Sequence, residues 1–126
     1  MIQQLVKEFH EAFDAPIDVG YEDRDVNSLR LSLIVEELNE LNDALFNWRT
    51  SVNPIEVADA LGDIAYVVYG AAVTYGIDLD AVVQEIHRSN MTKLQPDGTV
   101  AYREDGKVLK GPDYEPPNLA PLLGIT

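Results

Sequence analysis

The chain has 126 residues, which suits one domain with a single core, and 46% of them are apolar, which argues against disorder over most of its length. Nine Lys and Arg stand against 22 Asp and Glu, a formal net charge of −13. That balance excludes a basic surface for nucleic acid or an anionic membrane, but leaves room for a nucleotide whose charge is carried by metal. There is no cysteine, hence no disulfide frame and no thiol chemistry, which fits the reducing cytoplasm where the protein is expected.

Residues 2–14 predict a first helix, with Leu5, Val6, Phe9 and Phe13 on one face and Pro16 as its stop. This N-terminus is amphipathic and mixed in charge, without the apolar core of a signal peptide. No run of about 20 apolar residues occurs, so no membrane span is expected. His10 reads either as surface or as part of a site. Residues 15–26, with Pro16, Gly20 and many acids, read as a loop.

A long helix is predicted over residues 29–48, capped by Asn27 or Ser28. Leu31, Ile34, Leu38, Leu41 and Leu45 recur at helical spacing as a stripe to be buried. Glu36, Glu37 and Glu40 lie beside that stripe on adjacent turns. Arg30, one to two turns earlier, is available to neutralise one of them or a phosphate. Residues 48–53 form a turn, and Asn53, Pro54 and Glu56 make a helix start of capping-box type.

The helix that follows, over residues 53–76, is apolar nearly all round, as in the centre of a bundle. Its exceptions, Glu56, Asp59 and Asp63, form one acidic stripe, and the helix has no Lys or Arg to answer it. Charged groups are rarely buried unpaired, so a different counter-charge is needed. A divalent cation held between the two helices supplies one. Oxygen ligands, no Cys and two His point to Mg²⁺, with Mn²⁺ as a second choice, and away from zinc. The bland alternative for each acidic run is a solvated face, and for Glu56 a capping role. The apolar girth of this helix also implies a partner surface.

Gly76 predicts a helix C-cap, and Asp78 or Asp80 opens a fourth helix over residues 79–91. Two Asp-Gly pairs, at 97–98 and 105–106, predict turns of a small β-hairpin with strands over 99–102 and 107–109. The Pro-rich tail from Gly111 reads as irregular. The expected architecture is all-α, a four-to-five-helix bundle over residues 1–92, with hairpin and tail (93–126) packed on the same domain. Trp48, Tyr66, Tyr69 and Phe13 read as core residues, with base stacking as the alternative. Lys110, beside Gly111, reads as a phosphate contact or as a solvated lysine.

EELNE at 36–40 followed by DALGD at 59–63 resembles the MazG-like, all-α nucleoside triphosphate pyrophosphohydrolase superfamily. VKEFHEAF at 6–13, LRLSLIVEELNEL at 29–41, HRSNMTK at 87–93 and DGKVLKGPDYEPPNL at 105–119 make the phosphoribosyl-ATP pyrophosphohydrolase-like branch the nearest. The resemblance implies an all-α bundle in a homodimer or homotetramer. It implies Mg²⁺-dependent cleavage between the α and β phosphates of a nucleoside triphosphate. It places Glu37, Glu40 and Asp63 on metal, with Asp59 as the fourth ligand. The family's ExxD pattern also fits Glu56 with Asp59, so two registers stay open. Glu36 or Glu37 is the candidate base, and Asn90 and Lys93, with Lys110 and Arg30, are the candidate phosphate contacts. The readings beside it are a phosphoribosyl-ATP pyrophosphohydrolase and a non-catalytic nucleotide-binding dimer.

Overall fold

The computed structural model describes residues 1–47 and 51–125, so Trp48 lies outside the described residues. Four α-helices follow one another: α1 (Ile2–Ala12), α2 (Arg24–Phe46), α3 (Pro54–Tyr75) and α4 (Leu79–Met91). A 3₁₀ turn spans Ala120–Leu123. The chain divides into two compact units, Met1–Ile77 and Asp78–Thr126.

In the first unit α3 packs on both α1 and α2. α2 begins five residues before the expected start. Asp23 caps it, its Oδ1 accepting from the backbone N–H of Asp25 at 2.9 Å and of Val26 at 3.2 Å. Asn53 caps α3 by accepting from the Ile55 N–H at 2.9 Å, and Pro54 occupies a position whose N–H would be unpaired in any case. Gly76 ends α3 in the left-handed region, φ 78°, where a side chain would be strained.

Where α1 turns toward α3, one carbonyl organises the junction. The Pro16 oxygen accepts from His10 Nδ1–H at 2.9 Å and from Thr74 Oγ1–H at 3.0 Å. His10 and Thr74 are both buried, at 3% and 0% exposure. His10 is therefore neither a surface residue nor free to turn. Asp18 and Val19 then donate their N–H groups to the Val73 and Thr74 carbonyls, tying the loop to the end of α3.

α2 and α3 run antiparallel. Arg30 lies by Gly70, Glu37 by Asp63, and Glu40 and Asn47 share a cleft with Glu56 and Asp59. The leucine stripe of α2 is not covered in this chain: Leu31, Leu38 and Leu45 are exposed, Leu31 at 63%. By length and composition α3 is apolar enough to cross a bilayer, yet Asp63 faces carboxylates of α2 and Leu61 is open to solvent.

In the second unit Asp78 caps α4 through the Ala81 N–H at 3.2 Å. The tail is fastened to α4 by polar bonds. Ser89 Oγ–H donates to the Glu115 carbonyl at 2.7 Å, and the Asn118 N–H donates to Glu85 at 3.0 Å. The expected β-hairpin does not form strands: none occurs among the described residues, only a single antiparallel bridge between Tyr102 and Val108. The Asp-Gly turns are made, with Gly98 at φ 81° and Gly106 at φ 88°. What is missing is an apolar face to bury, since Val100, Tyr102, Val108 and Leu109 all remain exposed, and two short strands alone are marginal in water.

Candidate metal centre

Helical spacing sets Glu37 and Glu40 on one edge of α2, and antiparallel packing brings Asp63 of α3 against them. One oxygen from each of these three carboxylates lies within 4.8 Å of the others. Glu37 is half-buried, and its Oε2 is shut from solvent with no hydrogen-bond donor. Its carboxyl is pushed up to about 7. Loss of solvent contributes most, then hydrogen bonding with Glu40, then the charges of Glu40, Asp63 and Glu36.

Three converging carboxylates with no ammonium or guanidinium paired to them among the described residues fit a hard divalent cation, which prefers anionic oxygen. The donor set is all oxygen, with no Cys or His in the group.

Beyond this triad the groove opens into a cleft of about 270 Å³, lined by Glu40, Asp43, Asn47, Glu56 and Asp59 with two alanines. Glu40 therefore belongs to both the triad and the cleft. Asp59 stands outside the triad, one turn nearer the start of α3. Glu56 faces the same cleft, and the described residues show no capping bond from its side chain. Both ExxD registers thus contribute carboxylates, Asp63 to the triad and the Glu56–Asp59 pair to the cleft. Glu36 is exposed and outside the triad, its charge felt at Glu37. Asp43 was not among the candidates. It lies three residues after Glu40, so extending the acidic run by one turn finds it.

Arg30 forms no ion pair with these acids. It is buried at 8% exposure in a separate pocket of the same groove. The remaining candidates are in the second unit. Asn90 is exposed on the last turn of α4, and Lys93 is half-buried just beyond it. Lys110 has its Nζ 4.7 Å from the centre of the Tyr114 ring, a cation–π contact that holds the ammonium locally.

Comparison with known proteins adds an independent finding. The sequence pattern of the family described as phosphoribosyl-ATP pyrophosphohydrolase matches residues 6–90. An uncharacterized protein of Acanthamoeba polyphaga mimivirus is 34% identical over 113 residues, covering 85% of this chain. The chain spans 41% of that relative's length. The family match supports a hydrolase of pyrophosphohydrolase type, and its span from α1 to α4 includes every carboxylate of the triad and the cleft. The chain belongs to the phosphoribosyl-ATP pyrophosphohydrolase family, within the MazG-like all-α nucleoside triphosphate pyrophosphatase superfamily.

Proposed function

We propose that the protein hydrolyses a nucleoside triphosphate between its α and β phosphates, giving a nucleoside monophosphate and pyrophosphate, with Mg²⁺ or Mn²⁺ held by Glu37, Glu40 and Asp63. The observation that carries this reading is the triad, three carboxylates within 4.8 Å, with no ion pair to them among the described residues. A bound divalent ion neutralises phosphate oxygens and lowers the pKa of a coordinated water. Asp43, Glu56 and Asp59 extend the acidic wall along the cleft and favour further cations that accompany a polyphosphate. Glu37, with a carboxyl near 7 before cation binding, and Glu36 beside it are the groups available to take a proton from water. Asn90, Lys93 and Lys110 are the phosphate contacts that the resemblance names in this reading.

The family description favours phosphoribosyl-ATP as a second substrate reading. A panel of nucleoside triphosphates and phosphoribosyl-ATP, assayed for pyrophosphate release with and without Mg²⁺, separates the two. Nucleotide binding without any release supports the non-catalytic alternative.

The assembly we propose is a homodimer or homotetramer. Leu31, Val35, Leu38 and Leu45 on α2 and Leu61 on α3 offer more exposed apolar surface than an isolated chain of this size would keep. Light scattering at micromolar concentration tests it, and a 14.0 kDa particle contradicts it. We also propose a cytoplasmic setting without membrane or nucleic-acid partners, a reading that the −13 charge and the lack of cysteine fit.

A further inference from the structure

Seven residues before Glu37 on α2 and seven after Asp63 on α3, the same groove holds a second, mostly apolar pocket. Seven residues are two helical turns, about 10 Å along each axis. The pocket measures about 240 Å³, room for one ring system and not for a whole nucleotide. Phe9 and Tyr66 form part of its wall, their rings edge-to-face at 5.7 Å and 85°.

Its polar groups are few and specific. Arg30 is more than nine-tenths buried, and its Nε has neither solvent nor a hydrogen-bond acceptor. Among the described residues no carboxylate pairs with it. A buried guanidinium left so is expensive, and in a chain with 22 acids a counter-charge would be easy to place nearby. His10 brings the opposite polarity. Its Nδ1 faces the Pro16 carbonyl, which only accepts, so the proton sits on Nδ1 and Nε2 is left as an acceptor. The two groups converge over Gly70, where a Cβ would stand 3.3 Å from His10 Nε2 and 3.4 Å from Arg30 Nη1. A side chain at this position would press on both groups.

We infer that this pocket receives the nucleobase of the nucleotide whose phosphates meet the carboxylate triad, and that it selects bases presenting a ring carbonyl beside a ring N–H, such as uracil, thymine, hypoxanthine or guanine. The inference rests on the proposed triphosphate reading and deepens it. The base N–H donates to His10 Nε2, and the carbonyl accepts from Arg30. A guanidinium is a planar fork of donors, and a carbonyl oxygen offers it two in-plane lone pairs. Adenine can donate from its amino group to His10 Nε2, but its N1 has a single lone pair for Arg30 and it has no carbonyl for the guanidinium fork. The aromatic wall provides the apolar contact that a ring needs. The two-turn offset from the triad leaves space for the sugar.

The test begins with the unmodified protein in EDTA, so that no phosphate chemistry contributes. The ¹⁵N-labelled chain is titrated with uridine, inosine and adenosine to millimolar concentration while the imidazole nitrogens are followed. The chain has two histidines, so His87 serves as internal reference. Uridine or inosine should move the His10 Nε2 signal, with adenosine at least about tenfold weaker, the loss expected for one charge-assisted hydrogen bond. In turnover, Arg30→Met should lower kcat/KM for the preferred oxo-base triphosphate by about tenfold to a hundredfold while scarcely changing that for ATP, with Arg30→Lys falling between. An equal response to adenosine, or none to any nucleoside, overturns the inference whether or not Arg30→Met folds. Absence of pyrophosphate release from every triphosphate sinks the hydrolase reading instead, and leaves the nucleoside titration to decide the pocket.

Discussion

Replacing Glu40 by Gln should separate cation binding from folding. Glu40 is the one carboxylate shared by the triad and the cleft, and Gln keeps its shape and helix propensity while removing its charge. A cation that binds only the folded chain stabilises it by mass action, about 1.4 kcal/mol when present at tenfold its dissociation constant. A chain of 126 residues has an unfolding entropy of about 0.26 kcal/mol/K, so the wild type should gain about 5 °C in Tm. A variant that binds the cation tenfold more weakly gains about 0.4 kcal/mol at the same concentration, or about 1.5 °C. Without metal its Tm should equal or exceed the wild type, because one of three crowded acids is gone. Thermal unfolding after EDTA treatment, with Mg²⁺ or Mn²⁺ added back, reads both quantities. Glu11→Gln on the exposed side of α1 is the control. A Glu40→Gln variant with the full metal shift, or a Glu11→Gln variant that loses as much, would refute the assignment of Glu40.

Asp63→Asn should abolish pyrophosphate release while circular dichroism and Tm stay those of a folded chain; wild-type turnover would remove Asp63 from the site. Lys93→Ala should raise KM about tenfold, with Lys7→Ala as the silent control, and equal steady-state constants for the two would return Lys93 to the solvated surface. Glu85 is held down at about 2, mainly by its hydrogen bonds from Arg88 and then by the Asn118 N–H. A depressed carboxylate stabilises the folded state above its unfolded pKa near 4.5, and the contribution disappears as pH falls through about 2. Wild type should therefore exceed Glu85→Gln in stability at pH 6 and converge with it near pH 2, in an acid-unfolding series; a constant difference would assign the effect to packing.

Local chemistry was legible where one residue decides it. Asn53, Gly76 and Asp78 each cap an end through atoms within a few residues; the first two are visible in the sequence, and Asp78 is one of two candidates there with Asp80. The start of α2 was not, because Asp23, Asp25, Asn27 and Ser28 all offer caps, and the choice falls to Asp23 only through its bonds to Asp25 and Val26. The leucine spacing of α2 identified residues that favour burial but not what buries them, and Leu31, Leu38 and Leu45 stay open in the single chain. The Pro16 junction was beyond reach, since Thr74 lies 58 residues from the carbonyl it bonds. The acids were readable as two stripes. Their division into a triad and a cleft required knowing that the helices run antiparallel, so that Glu37 meets Asp63 while Glu56 and Asp59 lie farther along.

That antiparallel register also explains how a groove between two helices can be so unlike at its two ends. Passing down α2 from Arg30 to Asp43 is passing back along α3 from Gly70 to Glu56. At one end stand a buried guanidinium, an imidazole acceptor and aromatic rings; at the other, among the described residues, stand six carboxylates. The charged groups at neither end assist folding. The guanidinium Nε lacks an acceptor, and burial together with the neighbouring carboxylates raises Glu37. The favourable packing lies elsewhere, in Val6, Ala72 and Val73 and in the doubly bonded Pro16 carbonyl. A groove whose opposite ends each lack the counterpart they need suits a ligand that is polar and unsaturated at one end and polyanionic, with its cations, at the other. Arg30 and Glu37 could have neutralised each other at shorter spacing. Held two turns apart, each is left, on the proposed reading, for a different part of the same molecule.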